Sequence, residues 1–429
     1  MGSIIGVLVF PAGEINSIEL HDALSTCVNI KLYGASSIDR HGEFVFKNYI
    51  SNVPKINEPD FLINFNHIIV DNNIDVVIPT HDDVALFFAK NRDNINASIL
   101  TSDINTTEIC RDKKKIYELF SDSDFNPIIY DKISSFPVFI KPRKGQGGIG
   151  SKLLTCDADV PGNIDWTEYV ICEYLPGVEL TVDCFTDKNG NLQAILPRSR
   201  QRVFGGVSVQ AQNEPLTEEI KNIANTINAR LKILGLWYFQ IKKDSIGRYK
   251  LEEISVRCAG TMCLSRALGV NLPLLSVYEA MGRETSVFIG DYNVMVDRTL
   301  ISRYKTDLKY NTVYIDFDDT IIINGKVNLK AMHFLYQCIN NNKSIFLITR
   351  HSADHNDSVI EALYHHKISL EMFTDIIELD FDTPKHKIID PAGAIFIDNA
   401  FYERKSVREN LHIPVFDVDG IEVLLDWRS

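Results

Sequence analysis

Short, continuous apolar runs alternate with helical stretches near both ends of this 429-residue chain, and they constrain its fold more than any other feature. In the first part these runs are Ile4–Phe10, Ile30–Gly34 and Ile74–Pro79. Such runs are typical of parallel strands buried on both faces, because the intervening helices cover both sides of the sheet. Residues 1–108 are therefore predicted to form a doubly wound α/β domain.

The rest of the chain divides into two further predicted domains. The last part repeats the alternation, with expected strands at 313–317, 344–348, 394–397 and 414–417. A second, smaller doubly wound domain is therefore predicted over residues 308–429. Residues 109–300 instead show an α+β pattern with hairpin turns such as Asp187–Gly190. The polar stretch from Asp297 to Asn311 is predicted to be a linker.

Composition excludes several classes of partner. The formal net charge is −13, which argues against a nucleic-acid partner, because phosphate backbones need clustered Lys and Arg. No apolar run approaches the roughly 20 residues that span a bilayer, so no membrane segment is expected. The eight cysteines are scattered without a Cys-x-x-Cys pair, which favours a reducing cytoplasm over a disulfide framework or a zinc cluster.

A glycine-rich loop follows the predicted strand 137–140. Lys141 closes that strand, and glycines follow at 145, 147, 148 and 150. A loop without Cβ atoms can bring successive backbone N–H groups close to phosphate oxygens, while the lysine supplies positive charge. The same composition also suits the tip of a flexible hairpin. The loop predicts phosphate binding only in combination with residues further along the chain.

Those residues lie on three extended segments. The strand-like segment Tyr169–Glu179 carries Glu173 and Glu179, which can offer carboxylates to ribose hydroxyls. Further on, alternation places Glu253, Ser255 and Arg257 on one strand face, with Gln240 on the preceding strand. Hard oxygen donors suit Mg²⁺, and an arginine suits a charged phosphoryl group. A solvated surface strand is the alternative interpretation. Glu252 could also be the metal ligand, although alternation points it to the opposite face.

Order and spacing of these residues over roughly 1–295 resemble the ATP-grasp superfamily, nearest to its carbamoyl-phosphate-synthase and biotin-carboxylase-like branch. The resemblance implies a Rossmann-like domain before an ATP-grasp domain, ATP with two Mg²⁺ ions, and attack of a carboxylate on the ATP γ-phosphate. The positions it assigns to ATP are Lys113, Lys141, Gly145, Gly147, Gly148, Glu173, Leu175 and Glu179. It assigns Gln240, Glu253 and Ser255 to metal, and Arg257 to stabilising the acyl phosphate. Ser255 stands where the family usually has Asn, and Gln240 where many relatives have an acid.

Two further segments are candidates for substrate binding. Arg198, Arg200 and Arg202 are expected to share one strand face as a fork for a carboxylate, with Ser208 beyond them. Solvated edge-strand arginines are the alternative. The segment Thr80–Asp83 follows the third predicted strand, where parallel sheets bind ligands, or Thr80 or Asp82 simply caps the next helix.

The last domain carries a second phosphate motif. Asp316 ends an apolar strand, Asp318 follows two residues later, and Thr349 and Asp398 end two further strands. Two carboxylates at this spacing beside Mg²⁺ can divide the roles of nucleophile and general acid/base. Residues 308–429 resemble the haloacid-dehalogenase superfamily. The resemblance implies that Asp316 becomes a phosphoaspartate and that Thr349 binds phosphate.

The same resemblance implies that Asp318 is the general acid/base and that Lys385 or Lys387 neutralises charge. One Mg²⁺ would be held by Asp316, Asp318 and Asp398, with Asn399 or Glu403 completing the site. The intervals from Asp318 to Thr349 and onward to Lys385 leave no room for a full cap domain. We hypothesise that another part of the chain, such as the ATP-grasp part, covers this open site.

Together these patterns predict a bifunctional cytoplasmic enzyme in which an ATP-dependent carboxylate–amine ligase is fused to a capless phosphatase. Its partners would be a small-molecule carboxylate, an amine and a phosphate ester, in small-molecule or surface-polysaccharide biosynthesis, and a homodimer is possible. The alternatives are an ATP-grasp enzyme that forms a carboxyl phosphate or carbamate, a kinase of the same fold, or a nucleotide-binding regulator with only the phosphatase active.

Overall fold

A computed structural model describes residues 3–38, 41–354 and 357–428 of the chain. It divides into two compact units, residues 1–300 and 301–429. No helix in the described residues is both long and apolar enough to cross a membrane.

The first unit begins with a five-stranded parallel sheet in the order β3-β2-β1-β4-β5. Its strands are β1 (Ile5–Phe10), β2 (Ile30–Ala35), β3 (Asn48–Ile50), β4 (Val76–Pro79) and β5 (Ser98–Ile99). Its helices are α1 (Ile15–Leu24), α2 (Phe61–Asp71), α3 (Asp82–Lys90) and α4 (Ile104–Arg111). The β1 strand is buried at every position, and Phe10 packs against the rings of Phe61 and Phe65. The predicted doubly wound, Rossmann-like sheet is confirmed.

Two four-stranded antiparallel sheets follow, in the orders β6-β9-β7-β8 and β11-β10-β14-β15, and a small sheet β12-β13-β16 accompanies them. Their strands are β6 (Ile129–Tyr130), β7 (Val138–Pro142), β8 (Lys152–Leu154), β9 (Tyr169–Glu173), β10 (Glu179–Thr186), β11 (Leu192–Ser199), β12 (Arg202–Phe204), β13 (Val207–Gln212), β14 (Gly235–Lys243), β15 (Tyr249–Ser255) and β16 (Met295–Asp297). The helices are α5 (Lys113–Leu119), α6 (Glu218–Arg230), α7 (Cys263–Ala267) and α8 (Leu272–Ala280).

The helix α6 shows why these elements pack as they do. Ile220, Ile223 and Ile227 recur at helical spacing and are buried in the core below β10 and β14. Thr217 caps the helix by accepting a hydrogen bond from the Ile220 amide at 3.3 Å.

The second unit is built on a parallel sheet in the order β21-β20-β17-β22-β23. Its strands are β17 (Thr312–Ile315), β18 (Ile322–Ile323), β19 (Lys326–Val327), β20 (Ser344–Thr349), β21 (Asp375–Glu378), β22 (Ala394–Ile397) and β23 (Val415–Phe416). Its helices are α9 (Leu329–Asn340), α10 (His351–Asp354), α11 (Val359–His365), α12 (Phe401–Leu411) and α13 (Ile421–Leu424). The central strands β17 and β22 carry the core residues Val313, Ile315, Ile395 and Ile397.

Two details differ from the predictions. The predicted linker begins too early, because Asp297 is the last residue of β16 and pairs with Gln210. The edge strand β21 was not predicted from the sequence, since only two apolar residues, Ile376 and Ile377, stand between acidic neighbours. Such a short run carries no clear period.

Candidate functional site

A cavity of about 280 Å³ in the first unit brings together the carboxyl ends of β1 and β4, the glycine-rich loop, and the face of β14 and β15. Predicted site residues that line it are Lys113, Gly145, Gly147, Arg198, Arg200, Ser208, Gln240, Glu253, Ser255 and Arg257. Residues from segments more than 170 positions apart therefore meet at one site.

Asp82, at the start of α3, forms a bidentate ionic contact in this cavity. Its carboxylate accepts from Arg257 Nε and Nη2, both at 2.9 Å, and from the Ser255 hydroxyl at 2.8 Å. Burial disfavours the charged carboxylate, yet Arg257 and Ser255 hold the pKa of Asp82 down at about 2. Arg257, proposed to stabilise an acyl phosphate, is thus oriented by a residue at the start of α3.

The segment Thr80–Asp83 caps its helix through a residue that the sequence analysis did not consider. The N-cap of α3 is His81, whose Nδ1 accepts from the Asp83 amide at 3.2 Å. Thr80 instead donates its hydroxyl to the Pro11 carbonyl at 2.6 Å. The helix-cap alternative for Thr80 and Asp82 is therefore wrong, and Asp82 belongs to the cavity.

Glu253 on β15 faces Gln240 on β14, as alternation predicts. With the Gln240 amide oriented to suit both neighbours, its nitrogen donates to Glu253 Oε1 at 3.2 Å. Its oxygen then accepts from Arg200 Nη1 at 2.8 Å. Arg200 also pairs with Glu179, with 2.6 Å between Nε and Oε1. Burial, reinforced by the nearby charge of Glu252, raises the pKa of Glu179 despite this arginine.

A β-bulge interrupts the alternation on which the expected orientation of Glu252 rests. The register passes from Gln240↔Glu253 to Ile241↔Leu251, which leaves Glu252 as the extra residue. A bulge breaks the alternation of side chains, so neighbouring residues can lie on one face. Glu253 lines the cavity, whereas Glu252 is not among its lining residues.

Two lysines approach the same face. The Nζ of Lys113 lies 3.8 Å from Glu253 Oε2 and 3.4 Å from the Gly145 carbonyl oxygen. The Nζ of Lys141, which is buried within β7, lies 3.4 Å from the Glu252 carbonyl oxygen and 5.3 Å from the Tyr117 ring centroid. Burial lowers the pKa of Lys113, an effect that Lys141 reinforces and Glu253 opposes.

The glycine-rich loop closes against a second pair of glycines. Gly147 and Gly148 adopt positive φ angles of 61° and 71°, which side chains disfavour. A Cβ added to Gly206, in the β12–β13 turn, would lie 1.9 Å from the Gly147 carbonyl oxygen. The Gln146 side chain reaches His81 Nε2 at 3.0 Å. The two backbones approach so closely that only glycine fits at position 206.

The three predicted substrate arginines do not share one strand face, because β11 ends at Ser199 and β12 begins only at Arg202. Arg198 is buried and paired with Asp183, with its Nε 2.8 Å from Oδ2. Arg202 pairs with Asp297 at 2.6 Å on an exposed surface, and it does not line the cavity. Ser208 is buried at the cavity wall and donates to the Gln210 carbonyl at 3.2 Å.

The segment Tyr169–Glu179, which was predicted to contact ATP, connects the two antiparallel sheets. Glu173 ends β9, and its carboxylate accepts from the Ile128 amide at 2.8 Å. Leu175, in the segment between β9 and β10, is buried. Hydrogen bonding of Glu173 to the backbone is a structural role that the sequence did not reveal.

A second cluster lies at the carboxyl ends of β17 and β22 in the second unit. Lys385 Nζ sits between two carboxylates, 2.6 Å from Asp316 Oδ1 and 2.7 Å from Asp398 Oδ2. Burial, reinforced by the charges of Asp398 and Asp318 and only partly opposed by Lys385, raises the pKa of Asp316 to about 7. Negative charge thus remains in excess around the lysine.

His351 is a functional candidate that the sequence analysis missed. Its Nδ1 lies 2.9 Å from Asp318 Oδ1, and its Nε2 lies 3.4 Å from Asp357. Its amide donates to the hydroxyl of Thr349, which is buried at the end of β20. Its position two residues after Thr349, at the end of a parallel strand, is the signal that could have identified it.

The remaining predicted residues of this cluster differ in burial and in their hydrogen-bond partners. Lys385 is buried between the carboxylates, whereas Lys387 is exposed, so the geometry distinguishes the two. Glu403 accepts from Arg350 Nε at 3.0 Å, which leaves it less available for a metal. The Asn399 amide donates to the Thr320 hydroxyl at 3.2 Å.

Both clusters contain some of the oxygen ligands that a divalent cation needs. Among the described residues, no group of three or more His, Cys, Asp and Glu side chains is placed to hold a metal alone. Mg²⁺ commonly binds one or two carboxylates plus substrate phosphates, which suits Glu253 and its bulge neighbour Glu252. Ser255 and Gln240 are engaged with Asp82 and Arg200, so they fit less well. In the second unit, the raised pKa of Asp316 and of Asp398 marks negative charge that a cation would neutralise.

One known protein family matches part of the first unit. Residues 165–298 match the family described as "ATP-grasp in the biosynthetic pathway with Ter operon". No curated protein matched the sequence.

Solved structures of similar fold extend that comparison. The chain is similar to Rhizobium etli pyruvate carboxylase (13% identity, TM-score 0.55), with 66% of this chain and 29% of that chain covered. It is similar to the biotin carboxylase domain of Hydrogenobacter thermophilus 2-oxoglutarate carboxylase, in complex with MgADP, ADP and bicarbonate. The identity is 14% and the TM-score 0.56, with 69% of this chain and 74% of that chain covered. It is also similar to an L-amino acid ligase from Bacillus licheniformis (14% identity, TM-score 0.52), with 65% of this chain and 75% of that chain covered. The ATP-grasp family match therefore covers residues 165–298, and these structures share their fold with about two thirds of the chain.

Proposed function

We propose that the first unit is an ATP-dependent carboxylate–amine ligase. The observation that carries this proposal is the arrangement of Lys113, Glu253 and a closed glycine loop around one cavity that also holds Arg257. The ATP-grasp family match and the similar amino acid ligase and carboxylase structures support it.

In this proposal, the loop amides together with Lys113 and Lys141 bind the ATP phosphates. Glu253 and Glu252 would hold Mg²⁺, which neutralises the transferring phosphoryl group when it is bound. Asp82 holds the guanidinium of Arg257 in place, so that it faces the acyl phosphate without the cost of ordering a flexible side chain. The amine then attacks the acyl carbon and releases phosphate.

ADP release from ATP measures this activity directly. A carboxylate and an amine from an amino-acid panel should both be needed for release, and removal of either should abolish it. Release that depends on bicarbonate alone would favour a carbamate- or carboxyl-phosphate-forming enzyme. Release with a hydroxyl acceptor, and no amide product, would favour a kinase.

A nucleotide-binding regulator is the second candidate for the first unit. The engagement of Ser255 with Asp82, and of Gln240 with Arg200, favours it, because two predicted metal ligands are then occupied. Tight ATP binding without ADP formation across the whole panel would establish this alternative.

We propose that the second unit is a phosphatase of the haloacid-dehalogenase type. Asp316 would attack phosphorus and release the alcohol, to which Asp318 supplies a proton. Water would then hydrolyse the phosphoaspartate, with Asp318 accepting its proton. Lys385, 2.6 Å from Asp316, would balance the charge of the phosphoryl oxygens, and a bound Mg²⁺ would supply further positive charge.

The buried contact between Lys385, Asp316 and Asp398 supports this assignment. Hydrolysis of an artificial phosphate ester should be abolished by Asp316→Asn, because the amide is not a competent nucleophile. Unchanged hydrolysis in that variant would remove the assignment. Asp319→Asn, which alters a neighbouring residue outside the proposed chemistry, is the matched control.

A further inference from the structure

Three aromatic side chains of the second unit are strongly exposed on segments that leave the carboxyl edge of its parallel sheet. They are Phe381, Phe401 and Tyr402, with exposed fractions of 64%, 71% and 66%. Among the described residues of the second unit, Phe381 and Phe401 are the only phenylalanines in the exposed class. An isolated exposed aromatic residue is ordinary, but several around one site mark a binding surface.

These aromatic residues lie on the segments that carry the Lys385 cluster. Phe381 precedes Lys385 by four residues in the loop after β21, and Phe401 follows Asp398 by three residues at the start of α12. Each segment is short and continuous with a buried member of the cluster. The aromatic residues therefore lie on the rim of the proposed phosphatase site.

Arg350 fixes the two segments to each other. Its Nη2 donates to the Thr383 carbonyl at 2.9 Å and to Glu403 Oε1 at 2.9 Å, and its Nη1 donates to the Asp380 carbonyl. The loop that holds Phe381 and the helix that holds Phe401 are thereby joined through one side chain. Because Arg350 directly follows Thr349, the joint is itself at the end of a sheet strand.

Arg404 fixes one of the rings. Its guanidinium carbon lies 5.9 Å from the ring centroid of Phe401, and its Nη1 donates at 2.6 Å to the carbonyls of Asp398 and Asn399. A cation over an aromatic face holds the ring without covering its other face. The Phe401 ring is thus anchored to the backbone that presents Asp398.

The course of the chain explains why a rim of this kind would be needed. Between Asp318 and Thr349 lie only the β18–β19 hairpin, α9 and β20, and between Thr349 and Lys385 lie α10, α11, a short 3₁₀ turn and β21 among the described residues. These elements belong to the sheet and its covering helices, and none of them forms a separate cap. The leaving group of a substrate must then be bound by the rim loops.

We propose that Phe381, Phe401 and Tyr402 bind the leaving group of the phosphatase substrate, which is a phosphate monoester whose alcohol carries an aromatic ring. The inference rests on the proposed phosphatase function. The phosphate enters the Asp316–Lys385 cluster, and the ring of the alcohol stacks on the aromatic rim. Phosphate esters with a small aliphatic alcohol make no such contact.

Two substrates, one with an aromatic ring and one without, test the proposal. Both 2-phenylethyl phosphate and n-butyl phosphate release a primary alcohol, so their chemical steps are matched. The wild-type protein should show a KM about tenfold lower for the phenylethyl ester, in line with the strength of an aromatic pair. Phe401→Ala and Phe381→Ala should each raise that KM about fivefold, leaving kcat and the KM for butyl phosphate unchanged.

Controls separate recognition from folding. Phe401→Leu keeps most apolar area but removes the ring, and it should still lose the preference for the phenylethyl ester. Tyr336→Ala removes an exposed aromatic residue (54%) from α9 and should change neither KM.

Equal changes for both esters, or no change in any rim variant, would overturn the inference while the phosphatase activity stands. If the wild-type protein hydrolyses neither ester nor any artificial phosphate ester, the proposed phosphatase function fails and the inference fails with it. Unchanged hydrolysis in Asp316→Asn would likewise remove the proposed phosphatase function, and the inference with it.

Discussion

The two candidate sites balance their charges in opposite ways. In the first unit, each arginine at the cavity has an acidic partner from another helix or strand, such as Arg257 with Asp82 and Arg200 with Glu179. In the second unit, one lysine serves two buried carboxylates at neighbouring strand ends. The charged residues of the first site are joined in ion pairs, whereas in the second site one lysine faces two carboxylates.

This difference appears in the protonation of the two key aspartates. Asp82 and Asp316 both lose solvent on burial, which alone raises a carboxyl pKa. The bidentate arginine brings the pKa of Asp82 to about 2, whereas neighbouring carboxylates help to keep that of Asp316 at about 7. A paired site keeps its shape without a ligand, and an under-neutralised site gains most from a bound cation.

The largest expected effect comes from removing the charge of Lys385, which lies between the two carboxylates of the second site. Lys385→Met should lower phosphate ester hydrolysis about 10³-fold, because the variant loses the charge that faces the transferred phosphoryl group. Steady-state kinetics with a phosphate monoester measure the loss. Lys387→Met, which changes an exposed lysine two residues away, is the matched control and should retain wild-type activity. Equal losses in both variants would contradict the assignment of Lys385.

An intermediate effect is expected on stability when the first site loses a pair. Asp82→Asn should lower the free energy of unfolding at pH 7 by about 2 kcal/mol, since Asp82 has a pKa of about 2 in the folded protein against an ordinary value of 3.8. A depressed pKa stabilises the folded state above pH 3.8, and this contribution is lost as the pH falls towards 2. The difference between variant and wild type should therefore shrink in urea unfolding at pH 3.

The neighbouring carboxylate provides the comparison for that experiment. Asp83 is half exposed and pairs with Arg111 at 2.6 Å, so Asp83→Asn should change stability by less than about 0.5 kcal/mol. A pH-independent loss in Asp82→Asn, or an equal loss in both variants, would show that the contact with Arg257 is not the cause.

The smallest expected effect concerns the closed glycine loops. Gly206→Ala should weaken ATP binding about tenfold, because its Cβ would meet the Gly147 carbonyl oxygen at 1.9 Å and force the loops apart. Gly205→Ala is the matched control, since its φ is also positive, at 57°, but its Cβ would meet nothing within 4 Å. Calorimetric titration with ATP measures both variants. Equal affinities would mean that this contact does not shape the nucleotide site.

The sequence predicted the parallel sheets well because their signal is local. Central strands such as β1 and β22 are short apolar runs buried at every position, and the polar residues that follow them were recognised as candidates for the same reason. The edge strand β21 was missed, although the opposite edge strand β23 was predicted. The β21 strand is partly exposed and has only two apolar residues, so its periodicity is too weak to detect.

The features that sequence could not supply depend on contacts between distant segments. The bulge at Glu252 is a property of the pairing between β14 and β15, and alternation along one strand cannot reveal it. The pairing of Asp82 with Arg257 joins residues 175 positions apart, so neither residue identifies the other from local pattern. The three arginines failed as a fork because the strand ends at Ser199, between the first and second of them.

The central proposal is that the chain contains two active sites, one consuming ATP and one hydrolysing a phosphate ester. One measurement tests it: ADP release and phosphate ester hydrolysis are assayed side by side in wild type, Glu253→Gln and Asp316→Asn. We predict that Glu253→Gln loses ADP release and keeps ester hydrolysis, while Asp316→Asn does the reverse. Loss of both activities in either variant, with the protein still folded, would contradict the account.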